Sequence, residues 1–117
     1  MKFSHILSLA LVFGATTAFG WLGDITNQTD GDIQVTVDRG ACGPETITVS
    51  AGQKVRYDTK GGCCTVMLTV TGLSGSIKDW TSRHQPFQFS PACWNWAVNV
   101  NKGTEGKFSV KTTTFQE

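Results

Sequence analysis

Apolar and polar residues alternate along most of this chain, and the alternation restarts after clusters of glycine, asparagine or aspartate. Ile33, Val35 and Val37 alternate with polar neighbours, which is the two-residue period of a half-buried β-strand. The same period recurs in the segments 24–28, 47–49, 55–57, 63–71, 87–89, 94–100 and 108–111. No helical period persists beyond a turn or two. About eight short strands with regular turn signals predict an all-β fold, a single antiparallel β-sandwich.

The amino-terminal segment has a different pattern from the rest of the chain. Residues 1–20 contain Lys2, an apolar run over residues 6–13, and small residues before Trp21. This order is typical of a secretory signal peptide, and the apolar run is too short to span a bilayer. We therefore expect residues 21–117 to form one secreted, extracellular domain, which acts as a monomer.

The charge of the chain is balanced. The 117 residues include ten basic and nine acidic side chains, so removal of Lys2 with the signal peptide leaves equal numbers of each. Nucleic acids and anionic membranes both attract a basic surface. The sequence therefore predicts neither a nucleic-acid partner nor stable membrane insertion.

Four cysteines, an even number in a small exported domain, indicate two disulfides. No C-x-x-C pair is present, which argues against a zinc site. If residues 63–71 form a regular strand, Cys63 and Cys64 point to opposite faces, and Cys93 shares the outward parity of Cys63. We therefore predict the pairs Cys42–Cys64 and Cys63–Cys93, unless a β-bulge changes the parity.

The residues that carry acid–base chemistry are few. His84 is the single histidine of residues 21–117, so a mechanism that needs two imidazoles is excluded. His84 with one carboxylate and one arginine could in principle cleave RNA, which makes a small secreted ribonuclease one alternative. A solvated histidine explains His84 as well, and no G-x-S-x-G motif is present. We expect a protein that is not an enzyme and needs no cofactor.

Two further patterns suggest sites near the mature amino terminus. Asp24, Asp30 and Asp32 could gather around calcium, but turn chemistry accounts for Asp30 and Asp32, and we expect no metal. Asn27-Gln28-Thr29 matches the acceptor pattern for N-glycosylation beside a predicted turn. Asn27 is therefore a candidate glycosylation site.

The tryptophans suggest where the domain binds. Trp94 and Trp96 share the apolar parity of their segment, which predicts that both lie in the core; the alternative is an exposed stacking platform. Trp80 lies in the longest irregular stretch, and it either anchors a partner or caps the end of the sandwich. The predicted binding residues lie in the loop that spans residues 78–85: Lys78, Trp80, Arg83 and His84.

The overall design, a signal peptide followed by a compact disulfide-bonded β-domain, resembles the small secreted proteins that fungi deploy at host surfaces. Residues 24–53 are also similar to the opening strands of exported β-sandwich families such as thaumatin-like proteins and aegerolysins. The resemblance of the overall design implies a non-enzymatic binding protein, effector-like or defence-like, with a role in host interaction or virulence. We expect it to recognise a host or competitor protein or glycan, at a cell surface or in the extracellular space, through loops at one end of the sandwich. Four tryptophans in so small a domain leave a membrane-active cytolytic or antimicrobial protein as the other alternative.

Overall fold

A computed structural model describes residues 21–59, 63–85 and 94–115. These residues form eight strands: β1 (Leu22–Gln28), β2 (Ile33–Asp38), β3 (Pro44–Val49), β4 (Lys54–Asp58), β5 (Met67–Gly72), β6 (Thr81–His84), β7 (Asn95–Lys102) and β8 (Phe108–Phe115). Within the described ranges, helical structure is limited to two short 3₁₀ turns. The all-β prediction is therefore confirmed. The proposed signal peptide and the predicted strand at residues 87–89 lie outside the described residues.

The strands form two four-stranded sheets, which we call sheet A and sheet B. Sheet A has the order β4-β1-β7-β8, and sheet B has the order β3-β2-β5-β6. The prediction of a purely antiparallel fold is wrong in one place, because β1 and β7 run parallel, with Gly23 opposite Trp96. No hairpin joins these two strands. The chain passes through sheet B between them, so turn geometry does not fix their relative direction.

The alternation in the sequence becomes the inward and outward faces of each sheet. Ile33, Val35 and Val37 are fully buried, while their polar neighbours point outward. Each such aliphatic side chain stabilises the fold by roughly 1.5–3 kcal/mol relative to exposure. Both sheets contribute to one core, a sandwich-like arrangement, through Ile25, Ile33, Val35, Val37, Val49, Tyr57, Leu68, Val70, Ile77, Trp96, Val98 and Val100.

One strand was not expected from the sequence. Thr81–His84 has no apolar alternation, yet it forms edge strand β6 and pairs with β5 from Leu68 to Thr71. Asp79 adopts a left-handed conformation (φ 70°), which aspartate tolerates better than most residues. The Gly72 N–H donates to Trp80 O at 2.8 Å, and this bond closes the connection. The tertiary pairing with β5 therefore outweighs the weak strand pattern of this segment.

Trp96 occupies the centre of the core. Its side chain is fully buried, and its Nε1–H donates to the Thr65 hydroxyl at 3.0 Å. A side chain at Gly23 would collide with the indole ring, so glycine is required at that point of β1. The Tyr57 ring packs 6.4 Å from the indole, measured between ring centroids. Trp96 therefore contacts three separate parts of the fold.

Trp94 does not share this environment. The prediction that both tryptophans lie in the core is wrong, because Trp94 is 60% exposed. Strand β7 begins at Asn95, so Trp94 precedes the region where the alternation applies. The parity argument fails where the strand has not yet begun.

The predicted disulfide pairing is also wrong. Cys42 bonds to Cys63, with the two Cα atoms 6.3 Å apart. Cys64 is disulfide-bonded as well, and the described residues contain no free cysteine. Cys93 lies outside the described residues. Neither Cys42–Cys64 nor Cys63–Cys93 is therefore formed.

The parity argument for the cysteines fails because strand β5 begins only at Met67. Val66 donates its N–H to Asp38 O at 2.7 Å, although Asp38 is also the register partner of Met67. Two residues then oppose one, which is the arrangement of a β-bulge. As a result Thr65 and Leu68 are both buried, although their positions differ by an odd number.

Replacing Trp96 and Trp94 separately by phenylalanine tests the asymmetry between them. We expect W96F to lower the free energy of unfolding by about 2–4 kcal/mol, because it leaves a cavity and an unpaired buried Thr65 hydroxyl. W94F should stay within about 0.5 kcal/mol of the wild type, since it changes an exposed side chain. Urea unfolding followed by circular dichroism measures both. Equal losses would show that Trp94 is a core residue after all.

Peptide mapping of the oxidised protein tests the cysteine pairing. We expect a fragment that links Cys42 to Cys63. Since Cys63 and Cys64 are adjacent, digestion leaves both in one peptide, so fragmentation of the linked peptides in the mass spectrometer must assign each bond. Because Cys64 is also bonded, we expect its partner in a monomer to be Cys93, the remaining cysteine of the sequence. Digestion of the reduced protein is the control. Recovery of a Cys42–Cys64 fragment would contradict the structure.

Candidate functional site: the cleft between strands β3 and β4

The four residues predicted to form a binding loop do not share one surface. Lys78 is exposed after a 3₁₀ turn, whereas Arg83 and His84 lie on strand β6 and point to opposite faces of sheet B. Arg83 faces outward beside Thr69, its register partner. His84 faces inward, opposite the buried Leu68. The segment is thus part turn and part strand, rather than a single loop.

Trp80 is half-buried and packs against the core. Its ring lies 5.7 Å from the ring of Phe108, which belongs to the edge strand of the other sheet. Trp80 therefore covers the gap between β6 and β8. Of the two interpretations drawn from the sequence, the geometry agrees with the capping role.

His84 pairs with a neighbour on its own strand. Its Nε2 lies 2.6 Å from the Ser82 hydroxyl, and burial lowers the pKa of the imidazole. The pair contains a hydroxyl and a base, but Arg83 points away from it on the other face of the sheet. The His–Arg combination considered for RNA cleavage is therefore not assembled on one surface.

Asn27 is a structural residue. Its side chain is fully buried, and its amide group donates to Gly31 O at 2.8 Å and to Val49 O at 3.1 Å. Its Oδ1 accepts from the Thr29 N–H and hydroxyl. A glycan on this nitrogen would replace one of its two hydrogens, would break at least one of the two bonds, and would need space at a fully buried position. The structure thus argues against glycosylation at Asn27.

The three aspartates considered for calcium each have a separate role. Asp24 binds Arg56 at 2.7 Å, and this bond chiefly lowers the pKa of the carboxyl. Asp30 accepts from Ser76, which lowers its pKa, and Asp32 accepts from the Ala51 N–H. No group of three potential metal ligands occurs in the described ranges. The aspartates stabilise turns and a strand pair instead.

The concave site of interest lies where β3 and β4 separate into different sheets. The two strands are joined by a tight turn, in which the Gln53 N–H donates to Ser50 O at 3.0 Å. On either side of this turn, β3 is an edge strand of sheet B and β4 is an edge strand of sheet A. The gap between them is a cleft of about 410 Å³, lined by Glu45, Thr46, Ile47, Val55, Arg56, Tyr57 and Asp58.

Arg39 is held rigidly beside Glu45, one of the residues that line this cleft. Its guanidinium donates to three backbone carbonyls, those of Gly43, Cys42 and Thr59, at 2.9, 2.9 and 3.2 Å. One guanidinium nitrogen also lies 3.9 Å from a Glu45 carboxylate oxygen. The Cys42–Cys63 disulfide fixes the loop that supplies two of these carbonyls, those of Cys42 and Gly43. The arginine is therefore preorganised before any ligand arrives.

Tyr57 has a buried hydroxyl that lies near the Glu45 carboxylate but does not reach it with hydrogen-bond geometry. The residue is 8% exposed, and its hydroxyl has no hydrogen-bond partner among the described residues. Burial, together with the nearby negative charge of Glu45, raises the pKa of Tyr57 to about 12. A buried hydroxyl without a partner costs about 1–3 kcal/mol. A ligand in the cleft could supply the missing bond.

The sequence contained only weak signals for this site. The alternation of apolar and polar residues indicates only that Tyr57 and Glu45 occupy inward positions of two strands. Arg39 precedes Cys42 in a segment that the sequence indicates is a loop. Their proximity depends on β3 and β4 entering different sheets, which alternation alone does not predict. The single useful signal was a tyrosine, a residue with a polar tip, at a position predicted to be inward.

A second, smaller hollow lies on the outer face of sheet A. It has a volume of about 270 Å³ and is bordered by Lys54 and Lys111. Asn99 lines it, and the Oδ1 of Asn99 is buried without a hydrogen-bond partner in the described part of the chain. Asn99 as a whole is half-buried, whereas Tyr57 is buried.

Comparison with known proteins adds information on the fold. No protein-family model and no curated protein matches the chain. Among solved structures, the chain is similar to one described as the NMR structure of the protein from Eubacterium rectale. The TM-score is 0.57 and the identity 14%, over 85% of this chain and 93% of the other. This similarity shows a shared fold. In the described ranges, no helix is long and apolar enough to cross a membrane.

The single tyrosine of the chain allows a direct test of its environment. We expect tyrosinate absorbance to appear near pH 12 in the folded protein, instead of the ordinary 10.0. The folded state favours the protonated phenol more than the unfolded state does. Tyr57 therefore makes its full contribution to the free energy of unfolding below pH 10. That contribution is lost as the pH rises towards 12.

Unfolding experiments over the same pH range provide the matched control. Y57F should lack the loss of stability that the wild type shows between pH 10 and 12. Circular dichroism confirms that the protein is folded at each pH. Ionisation near pH 10 in the folded wild type would show that the hydroxyl is solvated.

Proposed function

We propose that this chain is a secreted, non-enzymatic binding protein, effector-like or defence-like. It recognises a host or competitor protein or glycan in the extracellular space and acts as a monomer. The signal-peptide pattern at residues 1–20 and the Cys42–Cys63 disulfide support export, since disulfides persist in oxidising compartments.

The observation that carries the proposal is the β3–β4 cleft, with its preorganised polar groups. Clefts of a few hundred Å³ with apolar walls and a few fixed polar groups are typical ligand sites. Arg39 is held by three carbonyls, so little entropy is lost when it contacts a ligand.

The same groups support binding rather than catalysis. A general acid or base works best when its pKa is near the working pH. With a pKa of about 12, Tyr57 lies far from this range and stays protonated near neutrality. Its hydroxyl can still donate and accept hydrogen bonds, which is what recognition needs.

The exposed residues beyond Trp80 offer a second contact surface. Lys78 and Arg83 are both exposed, and Arg83 lies on the threonine-rich outer face of sheet B. Arginine is frequently an anchor of protein interfaces. Trp80 supports this region from the inside, so replacing it would change stability as well as binding.

Binding of the mature, oxidised protein to a glycan array and to a host-surface protein fraction tests the function. We expect at least one saturable partner, which the protein leaves chemically unchanged. Y57F and the double variant K78A/R83A, compared with the wild type, separate the cleft from the outer surface. Weaker binding in only one of the two variants identifies the contact.

Two results would contradict the proposed function. One is the absence of saturable binding to either set, and the other is turnover of the bound partner. Reduced and alkylated protein is the control for nonspecific adsorption, because it lacks the folded cleft.

A further inference from the structure

The buried hydroxyl of Tyr57 is the feature that the fold leaves unexplained. It lies in the gap between the sheets, within reach of the cleft but without a hydrogen-bond partner in the described part of the chain. From its surroundings we propose that the cleft binds a neutral, polyhydroxylated ring, a sugar unit of a glycan, through Tyr57. This inference rests on the proposed binding function and specifies the ligand class.

The charges around the cleft favour an uncharged ligand. Two acidic side chains, Glu45 and Asp58, and one basic side chain, Arg56, line it. Arg39 adds a second positive charge beside Glu45, at 3.9 Å, so that the four charges balance. A cation would meet the guanidinium of Arg39, and an anion would meet the carboxylate of Glu45. A neutral ligand avoids both penalties.

The walls of the cleft suit a ring with hydroxyls on its edge. Ile47 and Val55 are half-buried, and their aliphatic side chains offer an apolar surface to the C–H groups of such a ring. The Glu45 carboxylate, whose side chain is 43% exposed, accepts hydrogen bonds, and the Tyr57 hydroxyl both donates and accepts. A ligand hydroxyl can donate to the Glu45 carboxylate, and it can donate to or accept from the Tyr57 hydroxyl. A ring with several hydroxyls can therefore bond to both side chains.

The position of the hydroxyl argues against an extended peptide as the occupant. A peptide that adds to edge strand β3 or β4 lies in the plane of that sheet. Tyr57 belongs to the inward face of β4, so its hydroxyl lies between the two sheets. A ligand must enter this gap to reach it, and a small ring fits the gap better than a strand.

Titration of the mature protein with neutral oligosaccharides of hexose or N-acetylhexosamine, followed by NMR, tests the proposal. We expect saturable shifts of the backbone amides of residues 45–47 and 55–58. Y57F should weaken binding about three- to tenfold, because it removes one hydrogen bond to the ligand. K107A, at an exposed position in the connection between β7 and β8, is the control and should bind as the wild type does.

Two additional measurements separate recognition from folding. Y57F should be as stable as the wild type or slightly more stable, because it removes a buried hydroxyl that lacks a partner. In the wild type, saturating oligosaccharide should move tyrosinate formation to higher pH, and this readout needs no variant. Amine-bearing and carboxylate-bearing versions of the same rings should bind more weakly than the neutral rings.

The outcomes distinguish this inference from the function on which it rests. Shifts at the Asn99 hollow, or equal affinity in Y57F and the wild type, would overturn the cleft site while leaving a binding protein. Binding of peptides at the cleft, without any oligosaccharide, would overturn the ligand class. Failure to bind any glycan or protein in the broader screen would instead overturn the proposed function.

Discussion

The burial of Trp96 is the constraint on which the rest of this fold depends. An indole ring is the largest apolar surface a side chain can offer, but its N–H must find an acceptor when water is removed. Thr65 supplies that acceptor at 3.0 Å, and Gly23 leaves the space that the ring needs. Because Trp96 belongs to sheet A and Thr65 lies next to strand β5 of sheet B, one hydrogen bond links the two sheets through the core.

This packing also shapes the cleft. The Tyr57 ring rests against the indole at 6.4 Å and is tilted by 38°, so the phenol shares the core while its hydroxyl extends beyond it. The bond from Asn27 to Val49 fixes the closed end of the β3–β4 connection, and three carbonyls hold Arg39 beside Glu45. The cleft is therefore a rigid opening between two sheets, with a polar group already desolvated at its base.

Most of the sheet structure could be predicted, because the inward residues of a strand repeat every second position. Ile33, Val35 and Val37 illustrate this rule, and all three are fully buried. The candidate site could not be predicted in the same way. Trp80 and His84 were singled out as polar-flanked loop residues, but pairing with β5 and packing against Phe108 turned them inward.

The sequence by itself determined the β class, the positions of most strands and the identity of most apolar core residues, since these follow from local alternation and turn chemistry. Tertiary structure decided which cysteines meet, because a bulge at Val66 breaks the parity on which the pairing was inferred. It also decided that Asn27 is buried and that Glu45, Arg39 and Tyr57 converge. These contacts join residues far apart in sequence, and only the way the two sheets pack brings such residues together.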